Sequence, residues 1–135
     1  MLTLNDWITS SNKYNDRANS PELTQSVKDA ATILINKINV LMADLGVTAV
    51  LKVSSGFRPS TVNSKIPNAA KRSSHMTGLA IDLVDVDGKL KSLIAKRPDL
   101  LRTHNLFMED AGSTPGWCHL DYATRADRPS RTFKP

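Results

Sequence analysis

The stretch His75-Met-Thr-Gly-Leu-Ala-Ile-Asp82, taken with Trp117-Cys-His119 further along, decides how this chain reads. It brings together two imidazoles and a carboxylate, the ligand types of a catalytic zinc that keeps a fourth position open for water. Leu79 to Val84 reads as a strand in which Ala80, Asp82 and Val84 point to one face and Leu79, Ile81 and Leu83 to the other. Asp82 thus leaves the sheet beside a small alanine, with room for an ion. Gly78 permits a sharp turn into the strand, so that His75 folds back towards Asp82. In the second run Trp117, His119 and Asp121 alternate with Cys118, Leu120 and Tyr122. That puts His119 and Cys118 on opposite faces and makes Cys118 a packed thiol, not a ligand.

Outward from these runs, the clearest helix is predicted over about 21–45. Ser20 is placed to cap it, Pro21 suits its first position, Glu22 complements its dipole and Gly46 stops it. Leu23, Val27, Ala30, Ala31, Leu34, Ile35, Ile38, Leu41, Met42 and Leu45 recur at three- and four-residue steps, the stripe of a helix packed on a sheet or core. Val47 to Ser54 reads as a strand that delivers Ser55-Gly56-Phe57-Arg58 at its end, and a polar loop from Pro59 to Arg72 follows. Asp85-Val-Asp87-Gly88 reads as a hairpin turn, with too few oxygen ligands for a calcium loop. Lys89 to Leu101 has helical spacing divided or kinked by Pro98, and Leu106 to Glu109 is a further strand. The Arg- and Pro-rich tail, 123–135, is expected along the surface, outside a metal-site core of about 47–122.

With 135 residues the chain is read as one domain, able to bury roughly two thirds of its unfolded surface. One cysteine excludes an intramolecular disulfide framework. No run approaches the ~20 apolar residues of a membrane span, and Met1 to Trp7 has neither a basic nor a continuous apolar leader segment. The expectation is a soluble protein without a signal peptide, made in the cytoplasm and not inserted into a membrane. Eighteen Lys+Arg against 13 Asp+Glu give a formal charge of +5. That charge favours an anionic polymer such as nucleic acid or a carboxylate-rich wall, or serves solubility alone.

A zinc hydrolase also needs a carboxylate that takes a proton from water and passes it to the leaving amine. Glu109 and Asp110 lie at the right place upstream of His119, and Glu109 is preferred for its position directly after Leu106-Phe107-Met108 and for its reach. Arg58, after a glycine at a strand end, can clamp a carboxylate or steady a carbonyl oxygen as charge develops on it. Ser73 can bind substrate or order its loop. His104 sits at a predicted helix end and is read as a partner of terminal groups there. Lys65, Lys71 and Arg72 make a basic loop without the interleaved aromatics of a nucleic-acid module, so no nucleic-acid partner is expected.

Ser73-x-His75-x-x-Gly78-x-Ala80-x-Asp82, preceded by Ser55-Gly56-Phe57-Arg58 and followed by Trp117-x-His119, resembles the zinc D-alanyl-D-alanine carboxypeptidase superfamily. That group also holds phage L-alanyl-D-glutamate endopeptidases and the hedgehog zinc domain. Asn105 to Asp110, Thr114 to Leu120 and Arg131 to Pro135 extend the likeness to small phage-type members. The resemblance implies a small α+β fold in which a central antiparallel sheet carries the zinc site and helices flank it. It implies one zinc held by His75, Asp82 and His119, substrate contacts from Arg58 and Ser73, and Glu109, or alternatively Asp110, as acid/base. The implied substrate is the peptide stem of bacterial peptidoglycan, cleaved by a phage lysis enzyme or a component of a phage particle, with a bacterial prophage product equally compatible. The competing expectation is a zinc-bearing module that binds the wall or serves a virion without catalysis.

Overall fold

The computed structural model describes residues 1–10 and 17–135. Its first helix, α1 (Leu4–Thr9), is opened by a capping box in which the Thr3 hydroxyl accepts from the Asp6 N–H and Asp6 reaches back to Thr3. The helix drives Trp7 into the interior, where its indole N–H donates to Ala80 O at 2.9 Å.

The long helix, α2, spans Gln25–Asp44. It starts later than the Ser20-Pro21-Glu22 signal indicates, because Thr24 caps it by accepting from Val27 N–H. Ser20 and Glu22 are used elsewhere: Ser20 Oγ accepts from Glu22 N–H, and the Glu22 carboxylate accepts from both the backbone and the hydroxyl of Ser60. Those contacts tie the turn to the short helix α3 (Ser60–Asn63). The expected stop holds, with Gly46 at φ +70° and Val47 N–H donating back to Met42 O. Ala31, Leu34, Ile35, Ile38, Leu41 and Met42 form the buried stripe. Each fully buried Leu or Ile contributes roughly 1.5–3 kcal/mol, so packing, more than intrinsic propensity, holds α2.

Five strands, β1 (Val53–Ser55), β2 (Ala80–Asp85), β3 (Phe107–Glu109), β4 (Gly116–Asp121) and β5 (Thr132–Phe133), line up in the order β1-β2-β4-β3-β5. The sheet is antiparallel except at β3–β5, which is parallel. β1 is shorter than the predicted 47–54, and of that earlier stretch Lys52 O accepts from Val84 N–H. The tail does not simply lie on the surface. Arg131 is buried, donates to Leu106 O and Asn105 Oδ1 and lies over the Phe107 ring at 3.7 Å, which straps the tail to the sheet and lets β5 form. The Asp85 to Gly88 turn leads from strand to helix, not into a hairpin: Asp85 accepts from the backbone of Leu90 and Lys91, the first turn of α4 (Lys89–Ala95). Pro98 opens a separate helix, α5 (Pro98–Thr103).

Alternation gives the sheet two distinct faces. Ile81, Leu83, Met108, Cys118 and Leu120 face the core against α2, α4 and α5. The other face carries the polar chemistry. Among the described residues no helix is long and apolar enough to cross a membrane.

Candidate metal centre

β2 and β4 pair so that Asp82 stands directly opposite His119. Directly opposed residues share a face with their Cβ atoms about 4.5–5.5 Å apart, so the pairing itself brings carboxylate and imidazole together. A bulge between Val53 and Ser55 sets Ser55 opposite Asp82 on the other side. Continuing the β3–β4 register beyond Phe107↔Asp121 and Met108↔Leu120 brings Glu109 alongside His119, and Glu109 pairs with Phe133 of β5. Ser55, Asp82, His119, Glu109 and Phe133 thus make one row across all five strands.

His75 arrives from above this row, on the 3-10 turn Ser74–Met76. Ser73 caps that turn by accepting from His75 N–H. Gly78 has φ +84°, and a Cβ there would lie 2.4 Å from Val27 O, so glycine serves both the sharp turn and the close seat on α2. The segment 56–58 grips His75 twice: Arg58 N–H donates to His75 O, and the ring Nδ1 pairs with Gly56 O at 2.8 Å. A carbonyl oxygen only accepts, so Nδ1 carries a proton and Nε2 is the nitrogen that faces Asp82, 3.4 Å from Oδ1. Gly56 is required by closeness, since a Cβ there would meet Trp7 O at 2.1 Å.

His119 presents its other nitrogen. Nδ1 lies 2.7 Å from Asp82 Oδ1, while Nε2 pairs with Asp121 Oδ2 at 3.0 Å. The donor atoms of His75, Asp82 and His119 fall within 4.8 Å of one another, and all three residues are buried. Zinc at its usual ~2.0–2.1 Å bond lengths needs ligand atoms about 3.4 Å apart, close to the His75–Asp82 separation. Both imidazoles have their second nitrogen tied to an oxygen acceptor, as metal-ligating histidines do, so the donor set fits a zinc ion.

Electrostatics agree. Burial disfavours the Asp82 carboxylate, yet His75 and His119 hold its pKa well below the usual range. Burial lowers the His75 pKa against the pull of Asp82, favouring the neutral ring a metal needs. Burial also opposes charge on His119, but its bonds to Asp121 and Asp82 win and push it up to about 9. Its 2.7 Å contact with Asp82 is that of a charge-assisted hydrogen bond, so a metal held at Nδ1 would take the place of a proton there.

The remaining predicted residues sit as follows. Arg58 Nη2 meets Asp82 Oδ2 at 2.9 Å and its Nε meets Ser55 Oγ, so the guanidinium steadies the oxygen that Asp82 does not turn to the imidazoles. Glu109 Oε2 is 3.9 Å from His119 Nδ1, and burial, with Asp82 and Asp121 nearby, raises its pKa. Asp110 leaves the row to head the 3-10 turn Ala111–Ser113, its carboxylate beside Gly112. His104 ends α5 and pairs with Asp44, remote from the cluster. Sequence reasoning missed the parts played by the Gly56 carbonyl and Asp121. Asp121 was within reach, since a carboxylate two residues from a strand histidine shares its face. A separate groove of about 360 Å³, lined by Val47, Val50, Val84, Leu90 and Leu93 among others, holds none of these residues.

A buried His-Asp-His cluster on a sheet face, with a carboxylate beside it, is the layout of a metal-dependent hydrolase. The family model of Peptidase M15 matches residues 6–121, and the chain belongs to this family, that of the zinc D-alanyl-D-alanine carboxypeptidases. It is thereby a zinc metallopeptidase of a family that acts on peptidoglycan. No curated protein and no solved structure matches the chain.

Proposed function

We propose that this protein hydrolyses an amide bond in the peptide stem of bacterial peptidoglycan, as a D-Ala-D-Ala carboxypeptidase or an L-Ala-D-Glu endopeptidase. The observation that carries the reading is Glu109: a carboxylate of raised pKa, part-buried, one row position from His119 and 3.9 Å from its Nδ1. In this reading His75 Nε2, Asp82 Oδ1 and His119 Nδ1 hold the zinc. When bound there, zinc supplies a Lewis acid for the scissile carbonyl and brings the pKa of water down to about 7.

Glu109 Oε2 takes a proton from the attacking water and returns it to the leaving amine nitrogen, a task for which a raised pKa suits it. Arg58, anchored to Asp82 and Ser55 through Nη2 and Nε, has Nη1 left to engage a substrate carboxylate or the oxygen on which charge develops. The Ser73 hydroxyl accepts from His75 N–H and keeps its own O–H to offer substrate. The formal charge of +5 favours approach to an acidic wall. The phage-type run from Arg131 to Pro135 supports a setting in phage lysis or in a virion.

Purified peptidoglycan digested with zinc-loaded protein and read by mass spectrometry tests this. Released D-Ala, or a cut between L-Ala and D-Glu, is the expected product and tells the two activities apart. Intact stems after digestion, in material that a known peptidase still cuts, would sink the proposal.

A further inference from the structure

The family match ends at Asp121, yet the chain beyond it closes over the metal centre. Asp121 is fully buried and divides its carboxylate between partners. Oδ2 takes the His119 Nε2–H, while Oδ1 takes Arg125 Nη1 and, at 3.3 Å, the Ala123 N–H. Arg125 is held in its turn, with its guanidinium over the Phe133 ring at 3.6 Å from the centroid. Phe133 stands edge-on to His119, centroids 5.9 Å apart at 79°. The strand that carries it is pinned to the Glu109 strand, Asp110 N–H donating to Phe133 O at 2.7 Å. His119, Asp121, Arg125 and Phe133 therefore close a ring of contacts.

We propose that Arg125 and Phe133 are positioning residues of the metal centre: Phe133 fixes the Arg125 guanidinium against Asp121, and Asp121 so held keeps His119 Nδ1 aimed at Asp82. The inference rests on the zinc reading of the cluster and asks nothing about which bond is cut. Its physical basis is that an arginine side chain a quarter exposed loses a large rotamer freedom to hold one geometry, and an aromatic face limits that freedom beforehand. A carboxylate kept in place by a fixed cation is in turn a fixed acceptor for imidazole.

The test is zinc affinity by chelator competition, with the visible spectrum of the cobalt-substituted protein, for Arg125→Gln, Arg125→Lys and Phe133→Leu. Thermal melting of each metal-stripped variant is measured alongside. We expect zinc affinity to fall about 10–100-fold in Arg125→Gln, the range for outer partners of a ligating histidine. Phe133→Leu falls in the same direction. Arg125→Lys, which keeps charge but loses the fork and the stack, lies between Arg125→Gln and the parent, and the cobalt bands shift in each. Affinity within twofold of the parent in both Arg125→Gln and Phe133→Leu overturns the proposal. So does a loss that appears only where the metal-stripped fold has itself collapsed, which makes the role merely structural. A parent protein that takes up no zinc refutes the underlying centre instead, an outcome visible before any variant is made.

Discussion

Replacing Gly56 by alanine perturbs the metal centre through backbone alone. The added Cβ would lie 2.1 Å from Trp7 O and 2.8 Å from Trp7 C, so the obstacle is main chain and cannot rotate away. One of the two segments must retreat by about 1 Å, and overpacking of this kind costs typically 1–3 kcal/mol. The retreat stretches the Phe57 N–H to Trp7 O bond, now 3.0 Å, adding about 0.5–1.5 kcal/mol. A destabilisation of about 1.5–4.5 kcal/mol follows, on the order of 10 °C in Tm for a domain of this size. It also shifts Gly56 O, the acceptor that orients His75, which predicts a further 10–100-fold loss of zinc affinity. Urea unfolding of the metal-stripped protein and chelator competition read the two effects separately. Leu101→Ala is the control: buried in α5 and remote from the ligands, it costs about 2–5 kcal/mol and leaves zinc affinity unchanged. Equal zinc affinities for Gly56→Ala and the parent would refute the claim that this carbonyl aims His75.

Glu109→Gln is expected to lower peptidoglycan hydrolysis by about 10²–10⁴-fold while zinc stays bound, measured by product release and metal analysis on the same sample; full activity removes Glu109 from the mechanism. Because His119 in the metal-stripped protein is pushed up to about 9, a proton competes with zinc below that pH. Zinc affinity then rises about tenfold per pH unit from 7 towards 9 and levels off above, and a flat profile contradicts the assignment. Burial pushes the Cys118 thiol well above its ordinary pKa, so a disulfide reagent at pH 8 leaves it unlabelled in the native protein and labels it fully in denaturant. Rapid native labelling would show that β4 opens at low cost.

Asp82 and His119 were legible because each lies in a run whose period is plain, and His75 because Gly78 turns the chain back towards Asp82. Leu79 to Leu83 alternates large apolar with small or polar residues, Cys118 to Asp121 alternates likewise, and two histidines with an aspartate are a narrow chemical choice. Pro98 and Gly46 were legible too, since both act through their own backbone. What escaped depends on partners distant in sequence. Ser20 and Thr24 are both N-cap residues by type, and in the fold Thr24 caps the helix while Glu22 is held by Ser60. A two-residue strand such as Thr132–Phe133 has no period to read, and its place follows from Arg131 reaching Leu106 and Phe107. The grip of Gly56 on His75 is invisible for a like reason: a backbone carbonyl has no letter of its own.

Asp82 and His119 meet because two strands are paired at one offset, which gives the centre a second meaning during folding. Docking β4 against β2 one residue out of step would turn His119 to the core and Cys118 to the polar face. Such a misassembled sheet offers zinc one ligand fewer and holds it poorly. Metal uptake would thus report correct strand pairing, and by binding that arrangement more tightly zinc would draw the chain away from its misaligned alternatives.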